Sequence, residues 1–195
     1  MVLVRPPAIT KVKHTIFPFI DLLREKGVQH VLFLSLQGVE ENKYTPHYKI
    51  ESYIRKSGVP YTFLQPSFFM ENLITAHREE IRYESRIMVP AGEGRTNFIA
   101  VDDIAQVAAR CLGNSQHYNA AYELTGDQDY SYYDIARILS EELGRTISYE
   151  KPGFLQFIMY RLRKGEQLGF VLVMAFIYAS VKAGKADRKT DILTG

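Results

Sequence analysis

Cysteine is almost absent from this sequence: Cys111 stands alone among 195 residues. An internal disulfide is therefore excluded, and the chain suits a reducing compartment, which points to the cytoplasm. Cys111 belongs to the apolar series Val107, Ala108, Cys111 and Leu112 at helical spacing, so it reads as a packing residue and not as a nucleophile. Charge of one sign is equally scarce. A formal net charge of +2, with basic and acidic residues interspersed, lacks the electrostatic footprint of a nucleic-acid binder. No secretory leader is expected, because Arg5-Pro6-Pro7 interrupts the apolar start. Long hydrophobic runs are missing too. The apolar stretch 168–181 is fourteen residues and contains Gly169, whereas a bilayer span needs about twenty, so it reads as a buried helix. Glycines rarely fall close together. The pair Gly92 and Gly94 lies between apolar segments 87–90 and 95–98, which predicts a hairpin turn and not the strand-to-helix loop that cradles a diphosphate. No metal site is expected. The adjacent acids Asp102 and Asp103 point in different directions at a helix start, where they act as N-cap and first-turn charges.

What the chain does contain is alternation of buried-type strands with capped helices. Residues 30–36 are a near-continuous apolar run rich in β-formers, the pattern of a parallel strand buried on both faces. The run ends at Gln37-Gly38. Thr45 then caps a helix that starts at Pro46 and stops at Ser57-Gly58, which predicts a helix over 46–57. A second buried strand occupies 61–64, Gln65-Pro66 breaks it, and the following 68–84 reads as helix. Together these segments make one βαβ unit, with ligand chemistry expected where its strands end. Around it are a short strand at 2–4, an amphipathic helix at 11–26 stopped by Gly27, a strand at 96–101 and a helix from Asp102 to Leu112. Farther on come a strand near 122–126, a helix over 129–143, a strand at 147–149 and apolar helical segments at 154–160 and 168–181.

The candidate chemistry lies along 30–72. His47 and Glu51 are four residues apart on the 46–57 helix, hence on one face, and Ser35 ends the strand that leads into it. Glu51 as hydrogen-bond acceptor would favour a protonated His47 imidazole, whose second nitrogen would face a ligand. The alternative is a solvent-facing helical pair worth a few tenths of a kcal/mol.

This segment resembles the NmrA-like family of atypical short-chain dehydrogenase/reductases. His47-xxx-Glu51 stands where the wider superfamily has Tyr-xxx-Lys, and Ser35 matches the family serine. SGVPYTFLQPSFFMEN, residues 57–72, matches the family signature with Gln65 where arginine is usual, and FIAVDDIA, residues 98–105, matches a further segment. The resemblance implies the C-terminal half of an NAD(P)-binding Rossmann fold: α/β, a partial doubly wound parallel sheet, with residues 1–150 as that domain and 151–195 as a small helical cap. Relatives carry three earlier βα units with the phosphate loop and continue past residue 195, so both ends look clipped, and the strand at Val2–Val4 would be an edge open to self-association. By the same resemblance the cofactor is NADP or NAD, contacted by Arg5, Pro6, Pro66, Ser67, Phe68 and Phe69. Asn72 would meet substrate, or else be a capping or surface residue. The implied activity is NAD(P)H-dependent reduction of a quinone-like conjugated acceptor by Ser35, His47 and Glu51, given a complete N-terminal half; the alternative is a non-catalytic NAD(P)-sensing regulator that binds a protein partner.

Overall fold

The computed structural model describes residues 1–5 and 11–184. In chain order the elements are β1 (Val2–Val4), α1 (Val12–Glu25), β2 (Val31–Leu34), α2 (Pro46–Ser57), β3 (Tyr61–Pro66), β4 (Phe68–Phe69), α3 (Arg78–Glu84) and β5 (Arg86–Met88). They continue as β6 (Arg95–Ile99), α4 (Val101–Cys111), β7 (Ala120–Leu124), β8 (Asp129–Ser131), α5 (Tyr132–Leu143), β9 (Ser148–Glu150), α6 (Phe154–Arg163) and α7 (Leu168–Lys182). The chain divides into two compact units, one of Met1–Ser67 with Ile99–Leu124, the other of Phe68–Phe98 with the described residues from Thr125 onward.

The first unit is a four-stranded sheet of order β1-β2-β3-β7, parallel throughout. Val31, Phe33 and Phe63 face Ile16, Ile20, Ile50 and Ile54 of α1 and α2, while Leu32 and Leu64 are also buried. Strands covered on both sides must be apolar along their whole length, which is why the pattern of 30–36 was readable. α2 has the predicted bounds because its signals are local: the Thr45 hydroxyl accepts from the Tyr48 amide, Pro46 needs no donor partner, and Gly58 closes the helix at a φ of 78°. Cys111 is buried on α4, and burial pushes its thiol up, as suits a packing residue. β1 is an edge strand among the described residues, with Val2 and Val4 exposed and Leu3 buried.

The second unit departs from the expected outline in several places. Residues 68–84 are not one helix: Phe68–Phe69 form β4 beside β6, a 3₁₀ turn covers Met70–Asn72, and α3 begins only at Arg78. The strand partner lies nearly thirty residues away, so helical propensity alone could not reveal it. Gly92 and Gly94 do not join a hairpin either. β5 pairs in parallel with β9, and β6 pairs antiparallel with β8. Gly94 is required because a Cβ there would lie 2.2 Å from the Val181 carbonyl oxygen on α7. Ala100, not Asp102, is the N-cap of α4, leaving both acids in the first turn. Likewise 129–131 is strand, and Ser131 starts α5 with a capping box closed by Asp134. The helices α6 and α7 share one core with α5: Phe157, Val171 and Tyr178 pack with Tyr132 and Ile135.

That core encloses a polar chain. Arg161 Nη1 donates to Glu80 Oε1 at 2.6 Å, His77 Nδ1 lies 3.3 Å from Glu80 Oε2, and Tyr178 Oη lies 2.6 Å from His77 Nε2. A carboxylate facing Nδ1 makes that nitrogen the donor, and the second ring nitrogen shares a hydrogen bond with the Tyr178 hydroxyl. Burial alone would raise Glu80, but bonds and charges from His77 and Arg161 outweigh it and hold the carboxyl below its usual range. Arg161→Met removes the cation and leaves Glu80 buried beside an apolar chain, so unfolding in urea should show a loss of about 3–5 kcal/mol; a loss below about 1 kcal/mol would mean that the pair contributes no more than a surface contact.

Candidate functional site

The polar side chains of the first unit collect where its parallel strands end. Ser35 follows β2, its amide donating to the Leu64 carbonyl at 2.8 Å. Its hydroxyl is buried and has no hydrogen-bond partner among the described residues, with the residue only 6% exposed. A buried hydroxyl without a partner costs on the order of 1–3 kcal/mol, so this position is one that a ligand would complete. At the end of β3, the Pro66 carbonyl accepts from the Gln37 amide at 3.0 Å and the Ser67 amide donates to the Leu124 carbonyl at 2.9 Å. Gln37 Nε2 also reaches Glu123 Oε2 at 3.3 Å. Gln37 and Glu123 thus belong to this edge, although the sequence marked Gln37 only as the first polar residue after a strand.

His47 and Glu51 do share the inward face of α2. The His47 ring is stacked on Phe33 with centroids 6.0 Å apart, and Glu51 is 5% exposed. Their partnership, however, is not the expected one. Gln65 Nε2 donates to Glu51 Oε1 at 3.0 Å, and Glu51 Oε2 lies 3.6 Å from Arg55 Nη2. Glu51 therefore does not orient the imidazole. One turn of helix separates the two side chains along the axis, and the Gln65 amide, coming from β3, claims the carboxylate first. His47 instead sits in the first turn of α2, where unsatisfied amides carry positive potential. Burial, then the positive charge of Arg5, lower its pKa to about 4, so at neutral pH the imidazole is uncharged. The expected imidazolium is corrected accordingly: burial and the charge of Arg5 both disfavour the protonated ring.

The remaining expected residues divide between the units. Arg5, at the end of β1, and Pro66 and Ser67 lie in the first unit with Ser35, His47 and Glu51. Pro6 lies outside the described residues. Phe68, Phe69 and Asn72 belong to the second unit, where Phe68 packs edge-on against Phe98 at 6.1 Å and Asn72 is exposed. No cluster of metal-binding side chains occurs among the described residues.

A parallel sheet buried on both faces and packed by α1 and α2, with polar groups gathered at its carboxyl edge, defines an α/β fold of the nucleotide-binding Rossmann class. The likeness to solved structures agrees: the NADPH-dependent quinone oxidoreductase of Escherichia coli, complexed with NADPH, superimposes with a TM-score of 0.89 at 20% identity, covering 99% of this chain and 69% of that one. The chain belongs to the NmrA-like family, whose model matches residues 18–162. Festuclavine synthase I of Penicillium roqueforti is 36% identical over 195 residues, covering 99% of this chain and 66% of that protein. Festuclavine synthase II of the same fungus is 32% identical over 190 residues, covering 95% and 65%. The chain thus spans just under two thirds of the length of these relatives.

The electrostatics of His47 can be read directly. Because its folded pKa lies below the unfolded value, the fold favours the neutral ring; that contribution is complete above about pH 6.5 and is lost as pH falls toward about 4. Proton NMR of the ring should therefore report a midpoint near 4, and Arg5→Ala should move it upward. A midpoint near that of a free histidine would remove the cationic, buried environment described for this ring.

Proposed function

We propose that this chain forms the nicotinamide and acceptor side of an NAD(P)H-dependent reductase for quinone-like, electron-poor conjugated acceptors. The observation that carries the reading is the buried, unpartnered Ser35 hydroxyl at the carboxyl edge of a parallel sheet. The family and the fold class support it, as do the names of the relatives, two festuclavine synthases and a quinone oxidoreductase. Ser35, His47 and the Gln65 to Ser67 segment would hold the nicotinamide end of NADP or NAD, with Arg5 as a further contact. When bound, the reduced cofactor supplies a hydride.

The chain's own residues supply polarisation and not bulk acidity. Ser35 donates its hydroxyl hydrogen to the acceptor oxygen, which also relieves the unmet bond. His47, neutral at pH 7 because its pKa is about 4, offers a ring N–H to the same oxygen without being able to deliver a strong-acid proton. Such a site suits an acceptor whose reduced oxygen is a weak base and takes its proton from water, as a hydroquinone does. Isolated carbonyls, whose reduction develops a strongly basic alkoxide, would be poor substrates. Glu51, bound to Gln65, positions α2 against β3 and does not touch the reacting atoms. The single cysteine favours the cytoplasm as the location. The exposed edge at Val2 and Val4 is a further candidate for strand pairing with another chain. The regulator alternative is not favoured: the two festuclavine synthases and the quinone oxidoreductase are named as enzymes.

The test is NAD(P)H oxidation in the presence of a benzoquinone, with the chain fused behind βα units that carry a glycine-rich phosphate loop. Ser35→Ala and His47→Ala should each lower kcat/KM by about 10²-fold or more, with an isolated aldehyde reduced far more slowly than the quinone. Cofactor binding with no turnover of any acceptor would sink the enzymatic reading, and unchanged rates in both variants would remove these residues from it.

A further inference from the structure

We infer that Gln65 is a positioning residue that sets acceptor specificity: its amide withholds Glu51 from His47 and so restricts the site to acceptors that need no strong acid. The substrate half of this inference rests on the reductase reading, whereas its mechanism rests on geometry. Phe63 of β3 packs in one core with Ile50 and Ile54 of α2. Side chains two apart on a strand share a face, so Gln65 is aimed at the same helix. There its Nε2 donates to Glu51 Oε1 at 3.0 Å. Both ends of the bond are closed to solvent, with Gln65 at 6% and Glu51 at 5% exposure.

Without that amide the carboxylate has two ways to turn. Toward the C-terminal end of α2 lies Arg55, whose Nη2 is 3.6 Å from Glu51 Oε2. That guanidinium is committed elsewhere, since Nη1 donates to Tyr61 Oη at 2.6 Å and the group lies 4.8 Å from the centroid of the Phe63 ring. Its side chain is also 46% exposed, where an ion pair contributes little. Toward the N-terminal end lies His47, one turn earlier on the same face, and helical side chains lean in that direction. A buried carboxylate without a donor is costly, and a protonated imidazole is a charge-assisted donor. Loss of the Gln65 amide therefore draws Glu51 onto the ring and favours its protonation. With Gln65 in place, the ring lies against Phe33 of β2, and burial and then the charge of Arg5 hold its proton affinity down. The two states suit different acceptors. A neutral imidazole only polarises the acceptor oxygen, which suffices for a quinone. An imidazolium also serves an isolated aldehyde: the carbonyl carbon takes the hydride while its oxygen takes the ring's proton. The products are an alcohol, oxidised cofactor and a neutral ring that regains its proton from water.

Proton NMR titration of the full chain tests the mechanism. Gln65→Met keeps the length of the side chain and removes the donor, so it should raise the His47 midpoint by about one pH unit or more. Adding Glu51→Gln should cancel that rise. Glu51→Gln in the otherwise unchanged chain retains a partner for Gln65 and should leave the midpoint in place. That second variant decides the matter even where Gln65→Met fails to fold, because a fall of about half a unit or more would show the carboxylate already acting on the ring. Selectivity is read in the fused chain of the turnover assay, where Gln65→Met should raise the aldehyde-to-quinone ratio of kcat/KM by about 10-fold. A residue that merely packs β3 against α2 would move neither the midpoint nor the ratio. The inference is overturned by an unmoved midpoint in Gln65→Met, by a rise that Glu51→Gln does not cancel, or by an unchanged ratio. An unmoved midpoint with quinone turnover intact leaves the reductase reading standing. A raised midpoint with no turnover of either acceptor by the parent sinks that reading and upholds the control of His47 by Gln65.

Discussion

Parallel pairing of β2 and β3, buried on both faces, constrains everything else in the first unit. Most side chains along those strands are apolar and buried, and polar groups gather where the strands end. Ser35, Gln37, Gln65 and Glu123 stand at or just beyond those ends. The site is thus a by-product of how the sheet is buried: the edge is the place where hydroxyl, amide and carboxylate groups can be gathered without a large desolvation cost.

Within that edge, the bond from Gln65 to Glu51 fixes the division of labour. A buried carboxylate needs a donor, and the first available one comes from β3 and not from the histidine a turn earlier on its own helix. His47 is left between Phe33 and the charge of Arg5, and its proton affinity falls. Two residues that share a helical face therefore acquire opposite surroundings, the carboxylate tied to Gln65 and the ring held neutral by burial and by Arg5. The proposed preference for acceptors that demand polarisation over a strong acid rests on that contrast.

The second unit solves its packing problem differently. Its strands are short and its core is joined by aromatic contacts and by the buried chain from Arg161 through Glu80 and His77 to Tyr178. Such a chain is tolerable only because each member satisfies the next. It also ties α3, α6 and α7 together.

Local signals were sufficient for the helix over 46–57, for the buried strands on either side of it, for the packing role of Cys111 and for the family resemblance, because caps, prolines and apolar runs act over a few residues. The face shared by His47 and Glu51, and the serine at the strand end, were legible for the same reason. Tertiary structure alone decided that Phe68-Phe69 is a strand, that Gly94 makes room for a helix nearly ninety residues later, and that Glu51 answers Gln65 instead of His47. Each of those outcomes depends on which distant group arrives within 3 to 4 Å, a choice made by packing, and no spacing along the chain encodes it.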